Sequence, residues 1–291
     1  MRKNKQYKIT PQYKMKRPKI KKLILSGGGV KGISFCGVLE KLDNEIKILS
    51  TVKTIIGTSI GALIASLIAI GVTIRKIRAI FDNINFSDLQ DYDINLFLSK
   101  FGFDSGQKFY SLIKASFAAQ NINPNITFQE LSLISKYELI IVGTNINETT
   151  PTYFSLKNTP DIPVTFAIRI SCGYPFILVP VELNGSSFAD GGLVSPLASE
   201  LVEKKERKHT LGVVIYKTVD RYEYTDIQSY TSCIVACLFN SLLEHKLKLL
   251  KHTILIKHPT NPLDLTMPKE LKEDLYEQGK IKASEWLDKF I

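Results

Sequence analysis

Apolar positions along this chain keep two rhythms in turn. Short β-branched or aliphatic runs end in glycine, and longer stretches with helical spacing follow them. Leu23-Ile24-Leu25 predicts a strand over residues 22–26 and leads through Gly27-Gly28-Gly29 into a helix expected over 32–44. Thr54-Ile55-Ile56 predicts a second strand over 53–56, which passes through Gly57-Thr58-Ser59-Ile60-Gly61 into a helix over 60–70. Strand, turn and helix in repeated order are what a doubly wound sheet requires. The expected class is therefore α/β.

Further along, Ile74, Ile77, Ile80 and Phe81 mark a helix over 74–84. Residues 85–103 mix Asp88, Asp91 and Asp93 with Phe86, Tyr92, Phe97 and Phe101, which suits a cap or rim better than a sheet. Asp104-Ser105 is expected to cap a helix reaching 119, and Thr127 with Glu130 spells a capping box before a short helix to 135. A strand over 138–144 has a hairpin arm at 152–155. Pro163 opens a helix that Gly173 and Pro175 stop near Cys172. Asn184-Gly185 is a hairpin turn between 179–181 and 187–189. A strand over 210–216, a long helix over 226–252, a strand over 253–257 and an amphipathic helix over 268–290 complete the chain.

Residues 54–72 form nineteen positions without a charge, a length that a hydropathy window would read as a membrane span. The glycines and Ser59 inside it favour a buried strand and helix instead, since central parallel strands are apolar on both faces.

Charge changes the picture at one end only. Residues 1–22 carry ten lysines and arginines and no acid, which leaves 28 basic residues against 28 acidic ones in the remainder. The whole formal charge of +10 is thus a tail. We expect two parts, a basic tail over 1–22 and one domain over 23–291. The tail suits an anionic membrane surface; a nuclear address, a solvated arm or nucleic acid is the alternative, nucleic acid not being the expected partner. Cys36, Cys172, Cys233 and Cys237 show no Cys-x-x-Cys pair and no zinc spacing with the histidines. No metal and no cofactor are expected. The absence of a secretory signal points to an intracellular protein, cytoplasmic or peripheral to a membrane.

The candidate chemistry rests on three strings. Gly57-Thr58-Ser59-Ile60-Gly61 places a serine between glycines at a strand-to-helix turn, the layout of a nucleophile elbow. Gly27, Gly28 and Gly29, followed by Lys31 and Gly32, would put backbone amides at the same sheet edge, where an oxyanion hole has to be. The same glycines satisfy a dinucleotide fingerprint, but that reading needs an acid at the end of the second strand. A phosphate-binding P-loop fails because Ile33 stands where lysine is required. The third string is Asp190-Gly191-Gly192.

The three strings, in this order, resemble the patatin-like phospholipase family, as does Ile168-Arg169-Ile170-Ser171-Cys172 leading to Tyr174-Pro175-Phe176. The resemblance covers roughly residues 22–257. It implies a three-layer α/β/α fold with a mainly parallel sheet and hydrolysis of phospholipid or other acyl-lipid esters. It also implies that Asp190 acts directly on Ser59 as general base, without a histidine. Lys31 is expected to face outward or to pair with a carboxylate. Tyr174, Phe176, Phe97 and Phe101 could line an acyl pocket or belong to the core, and Cys172 reads as an inert buried thiol. Two alternatives stay open. His209 follows Asp190 in the chain, which suits a Ser/Asp/His esterase of the α/β-hydrolase type, and the fold could serve a catalytically silent lipid-binding protein.

Overall fold

The computed structural model describes residues 16–217, 224–225, 227–259 and 265–290. In chain order the strands are β1 (Lys22–Leu25), β2 (Thr54–Thr58), β3 (Gly102–Asp104), β4 (Glu138–Asn145), β5 (Thr150–Ser155), β6 (Phe176–Leu178), β7 (Val181–Leu183), β8 (Ser186–Asp190), β9 (Thr210–Lys217) and β10 (His252–His258). The α-helices are α1 (Ile33–Ile46), α2 (Ile48–Thr51), α3 (Ile60–Ala69), α4 (Ile74–Asn83), α5 (Ile94–Lys100), α6 (Gln107–Ala118), α7 (Phe128–Ile134), α8 (Val164–Ser171), α9 (Ile227–Leu247) and α10 (Lys269–Leu287). The main sheet runs β10-β9-β1-β2-β4-β8-β7, with β5 on the other edge of β4. Its first five strands are parallel, and β5, β7 and β8 run antiparallel beside them.

Side-chain alternation along the strands divides the core into two layers. Leu23, Leu25, Ile55, Ile141, Val213 and Ile254 face the larger cluster, with α1, α3, α8 and α10. Ile24, Ile56, Val142 and Val214 face the other side, where Leu243 of α9 and the segment of Leu197, Ala198 and Val202 cover them. The protein is thus an α/β/α sandwich with a mostly parallel central sheet. The uncharged stretch 54–72 divides into β2 and α3, buried throughout both elements. Among the described residues no helix is long and apolar enough to cross a membrane.

Several expected boundaries move for local reasons. β2 runs two residues beyond 56, because its pairing with β4 continues to Thr58 opposite Val142. Asp104 does not cap α6: it ends β3, and its carboxylate accepts the N–H groups of Gly106 and Asp91. The cap position falls to Gly106 in a left-handed conformation. The capping box of Thr127 and Glu130 forms as expected, with both hydrogen bonds in place. Helix α9 stops at Leu247, five residues short of expectation, since His252 already opens β10. The basic run also enters the fold. Ile20 is buried and Lys22 opens β1 with its ammonium on Glu206. Residues 1–15 of the expected tail lie outside the described residues.

Candidate active site

Strand β4 brings the two ends of the site together. On one edge it pairs with β2 as far as Thr58 opposite Val142, and on that same edge it then pairs with β8, with Asp190 opposite Gly143. Its opposite edge is filled by β5. One parallel strand and one antiparallel strand therefore run toward each other along β4 and stop at adjacent registers. Ser59 follows the first and Asp190 ends the second. The Ser59 hydroxyl donates to Asp190 Oδ2 at 2.6 Å.

Ser59 has φ of 55° and ψ of −127°, a conformation that non-glycine residues rarely adopt. Such strain survives only where the surroundings over-determine it, and it costs about 1–3 kcal/mol. The glycines of the elbow make it possible. A Cβ on Gly57 would sit 2.5 Å from Gly61 O, and one on Gly61 would sit 2.5 Å from Leu25 O. The elbow is thus wedged between β2 and the end of β1. Thr58 Oγ1 donates to Ser195 O at 3.0 Å, and Ser59 N–H donates to Ser171 Oγ at 2.9 Å, holding the turn from both sides. Ser171, at the end of α8, in turn donates its hydroxyl hydrogen bond to Val142 O.

Asp190 is only 1% exposed, and its position is fixed at four atoms. Oδ1 accepts Gly192 N–H at 2.8 Å, its N–H donates to Gly173 O at 2.8 Å, and its carbonyl accepts Thr144 Oγ1 at 2.8 Å; Oδ2 is left to Ser59. Gly191 has no room for a side chain, since a Cβ there would lie 2.2 Å from Val142 O. Burial pushes the carboxyl up to about 7, against the opposing pull of the hydrogen bonds from Ser59 and Gly192. A carboxylate with that affinity is poised to take and return a proton near neutral pH.

The glycine loop lies beside the serine, with Gly27 adjacent to Ser59 Cβ. Gly27 N–H donates to Pro196 O at 3.1 Å, which leaves Gly28 and Gly29 as the loop's candidate donors to an oxyanion. Gly29 has φ of 57°. Ser26 ties the loop to the sheet, its hydroxyl accepting Ile215 N–H at 3.1 Å and donating to Gly27 O at 2.8 Å. Gly32 packs against Ile60, so the loop and the elbow are in direct contact.

A cavity of about 210 Å³ is lined by Ser59, Asp190 and the loop on one side. Phe86, Phe109, Tyr174, Ile177, Phe239 and Leu243 supply apolar walls. Of the aromatic residues considered from sequence, Tyr174 lines this cavity. Phe97 instead stacks on Phe103, and Phe101 and Phe176 are exposed. Lys31 does not face outward: it is buried at 1% exposure, lines the cavity and places Nζ 3.4 Å from His258 O. Cys172 lines the cavity too, and burial together with the charge of Asp190 drives its thiol well up, so it stays protonated.

His209 is not part of this arrangement. It precedes β9 at the edge where the parallel strands begin, its ring Nδ1 2.9 Å from Lys19 O. Ser59 and Asp190 lie where β2 and β8 meet along β4, beyond the other end of the parallel strands. His258 is bound to Asp274 at 2.9 Å. Among the described residues no group of three or more His, Cys, Asp or Glu side chains is placed to hold a metal ion. Ser26, Thr144 and Ser195 were not singled out from sequence. Each acts through a hydroxyl or carbonyl brought close by tertiary pairing, and no local motif marks it. Ser171 was visible only as part of the stretch around Arg169.

The fold is a three-layer α/β/α sandwich with a buried serine and aspartate pair beside a glycine loop, and comparison with known proteins names the family. The patatin-like phospholipase family model matches residues 23–200, and the chain belongs to that family. Uncharacterized protein R571 of Acanthamoeba polyphaga mimivirus is 34% identical over 186 residues, 63% of this chain and 61% of that protein. The match therefore spans about three fifths of that relative. The probable lipid hydrolase 463L of Invertebrate iridescent virus 6 is 27% identical over 73% of each chain. Among solved structures, VipD from Legionella pneumophila superposes with a TM-score of 0.64 over 94% of this chain and 67% of its own, at 20% identity. At that identity the likeness is one of fold.

Proposed function

We propose that the protein is a lipid acyl hydrolase that cleaves carboxylic esters of phospholipids or other acyl lipids through a Ser59 acyl-enzyme. The observation that carries this reading is the 2.6 Å hydrogen bond from the Ser59 hydroxyl to the buried carboxylate of Asp190, at the wall of an apolar cavity. A free serine hydroxyl is a weak nucleophile and needs an adjacent base. The name of the iridescent virus relative, a probable lipid hydrolase, supports the same substrate class.

In this reading Asp190 takes the proton as Ser59 Oγ attacks the ester carbonyl. The Gly28 and Gly29 amides receive the charge that develops on the carbonyl oxygen. Asp190 returns the proton to the leaving alcohol, and the acyl group remains on Oγ. Water then repeats the cycle, giving its proton to Asp190 and its oxygen to the acyl carbon, and Ser59 recovers its proton from Asp190. The apolar walls of the cavity suit an acyl chain. Residues 1–22 serve, we propose, as a salt-sensitive attachment to anionic lipid, separate from the chemistry.

The test is a set of variants assayed on a phospholipid panel and on a soluble short-chain ester. Ser59→Ala and Asp190→Asn each abolish turnover, and the double variant loses little more, because partners in one chemical step are strongly non-additive. A fluorophosphonate labels Ser59 alone. His209→Ala keeps full activity, and so does the parent protein in EDTA. Activity retained in Ser59→Ala overturns the assignment, and loss in His209→Ala replaces the dyad by a triad.

A further inference from the structure

Helix α9 is apolar on two opposite faces. Ala236, Phe239, Asn240 and Leu243 line the cavity, while Ile227, Tyr230, Ile234 and Leu238 are 52%, 44%, 45% and 51% exposed. At about 100° per residue the second set falls in one narrow stripe, roughly 180° from the first. No charged residue occurs from 227 to 243, and Glu244 is the first. Tyr224, 58% exposed, meets Tyr230 edge to face at the head of the stripe. An apolar helix face is ordinarily buried. Among the described residues, this outer stripe is left at the surface.

The exposed apolar surface does not end with α9. β6 touches α9 and pairs with β3, and α5 packs on β3. Helix α5 buries none of its residues, and Ile94, Leu98 and Phe101 at its surface are 50%, 74% and 70% exposed. Among the described residues, ten of the fifteen exposed large hydrophobic side chains belong to α9, α5, β6 or the residues beside them. They therefore gather on these neighbouring elements and are sparse elsewhere.

We propose that the outer stripe of α9, with the neighbouring surface of α5, is the face by which the protein docks on a neutral lipid bilayer, delivering acyl chains to the cavity beneath. The inference rests on the acyl-lipid reading above for its purpose. Its occupant is argued from continuity and charge: one helix lines the acyl cavity and presents the stripe, and the stripe carries no charge that would select an anionic partner. Amphipathic aromatic and aliphatic side chains at this spacing suit burial at the boundary of headgroups and acyl chains. The basic run joins the fold elsewhere. Lys21 N–H donates to His209 O where the strands begin, so the tail enters at the sheet edge opposite the cavity.

The experiment uses the full chain bearing Ser59→Ala, so that vesicles stay intact, with and without Ile234→Gln and Leu238→Gln together. Co-sedimentation with pure phosphatidylcholine vesicles is measured at low salt and in 0.5 M salt, a concentration on the order of that which shortens the Debye length to a few ångströms. The expected result is capture of the parent at both salts and roughly tenfold or more weaker partition of the double variant. In the Ser59 background the double variant should hydrolyse a monomeric ester at the parental rate, because neither side chain lines the cavity. That measurement also shows that the variant is folded. Equal partition of parent and variant overturns the proposal, as does a parent captured only by anionic vesicles and released by salt. A parent that is dimeric in sedimentation and becomes monomeric on the two substitutions also overturns it, in favour of a second copy as the occupant. Absence of ester turnover by the parent counts against the catalytic reading and leaves the vesicle result to be judged alone.

Discussion

Ser171 holds Ser59 by its backbone: the Ser171 hydroxyl accepts Ser59 N–H at 2.9 Å and donates a hydrogen bond to Val142 O on β4. All three groups are buried, so the serine's strained turn is tied to the strand that also registers Asp190. Replacing Ser171 by alanine leaves a buried donor and a buried acceptor unpaired, a cost of roughly 1–3 kcal/mol for each group. The expected outcome is a lower melting temperature together with a fall in kcat that exceeds any change in KM. Thermal unfolding and steady-state kinetics on a soluble ester check both. Unchanged kcat in a folded Ser171→Ala protein removes the positioning role.

The raised carboxyl of Asp190 sets the pH dependence. A base must be ionised to accept a proton, so kcat/KM should rise with pH and reach half its plateau near 7, where burial has placed this group. An ordinary aspartate would give a midpoint near 4. A pH profile between 4.5 and 9 on an ester of constant charge reads the value directly.

The same burial costs stability above neutral pH. The folded protein holds the Asp190 proton up to about 7, whereas the unfolded chain releases it near 3.8. Between those values the folded state binds more protons, so this group's contribution to stability is complete below 3.8 and is lost as pH rises through 7. About three pKa units correspond to roughly 4 kcal/mol as an upper bound. Asp190→Asn removes the ionisation and keeps an acceptor for Gly192 N–H. The variant should therefore be more stable than the parent at pH 8, and the advantage should shrink toward pH 4. Denaturant unfolding at the two pH values measures it, and an Asn variant less stable at pH 8 contradicts the buried-charge account.

Gly61 controls how closely the elbow approaches the end of β1. A Cβ there would meet Leu25 O at 2.5 Å and Ser26 O at 2.6 Å, backbone atoms that cannot move without shifting the glycine loop. Gly61→Ala should reduce turnover by roughly 10²-fold or more, the scale of a lost oxyanion donor. Fluorophosphonate labelling of the folded variant should slow in parallel.

Residues 1–15 contain five of the ten basic side chains of the run. Deleting them should weaken binding to anionic vesicles at low salt and leave monomeric ester turnover unchanged, since the run joins the fold at the sheet edge away from Ser59. Equal anionic binding by both forms returns the tail to an address or a solvated arm.

Local chemistry was legible in the chain. Leu23-Ile24-Leu25, the glycines around Ser59, the Thr127 and Glu130 capping box and the Asn184-Gly185 hairpin each act within a few residues, where backbone sterics and short-range hydrogen bonds decide the outcome. Ser59 stood out as a candidate by its strand, turn and helix setting, whereas Asp190, in a Gly-rich turn of ordinary kind, was singled out by the family resemblance. What the sequence could not determine was which distant groups meet. Asp190 reaches Ser59 because β4 pairs with both β2 and β8 along one edge, and strand pairing is a property of the assembled sheet. Burial of Lys31, the strand role of Asp104 and the hydroxyls of Ser26, Thr144 and Ser171 depend on neighbours far away in the chain. His209, plausible by order alone, was placed at the opposite sheet edge by the direction of β9. The two apolar faces of α9 were likewise a composition until packing covered one of them with the cavity and left the other at the surface.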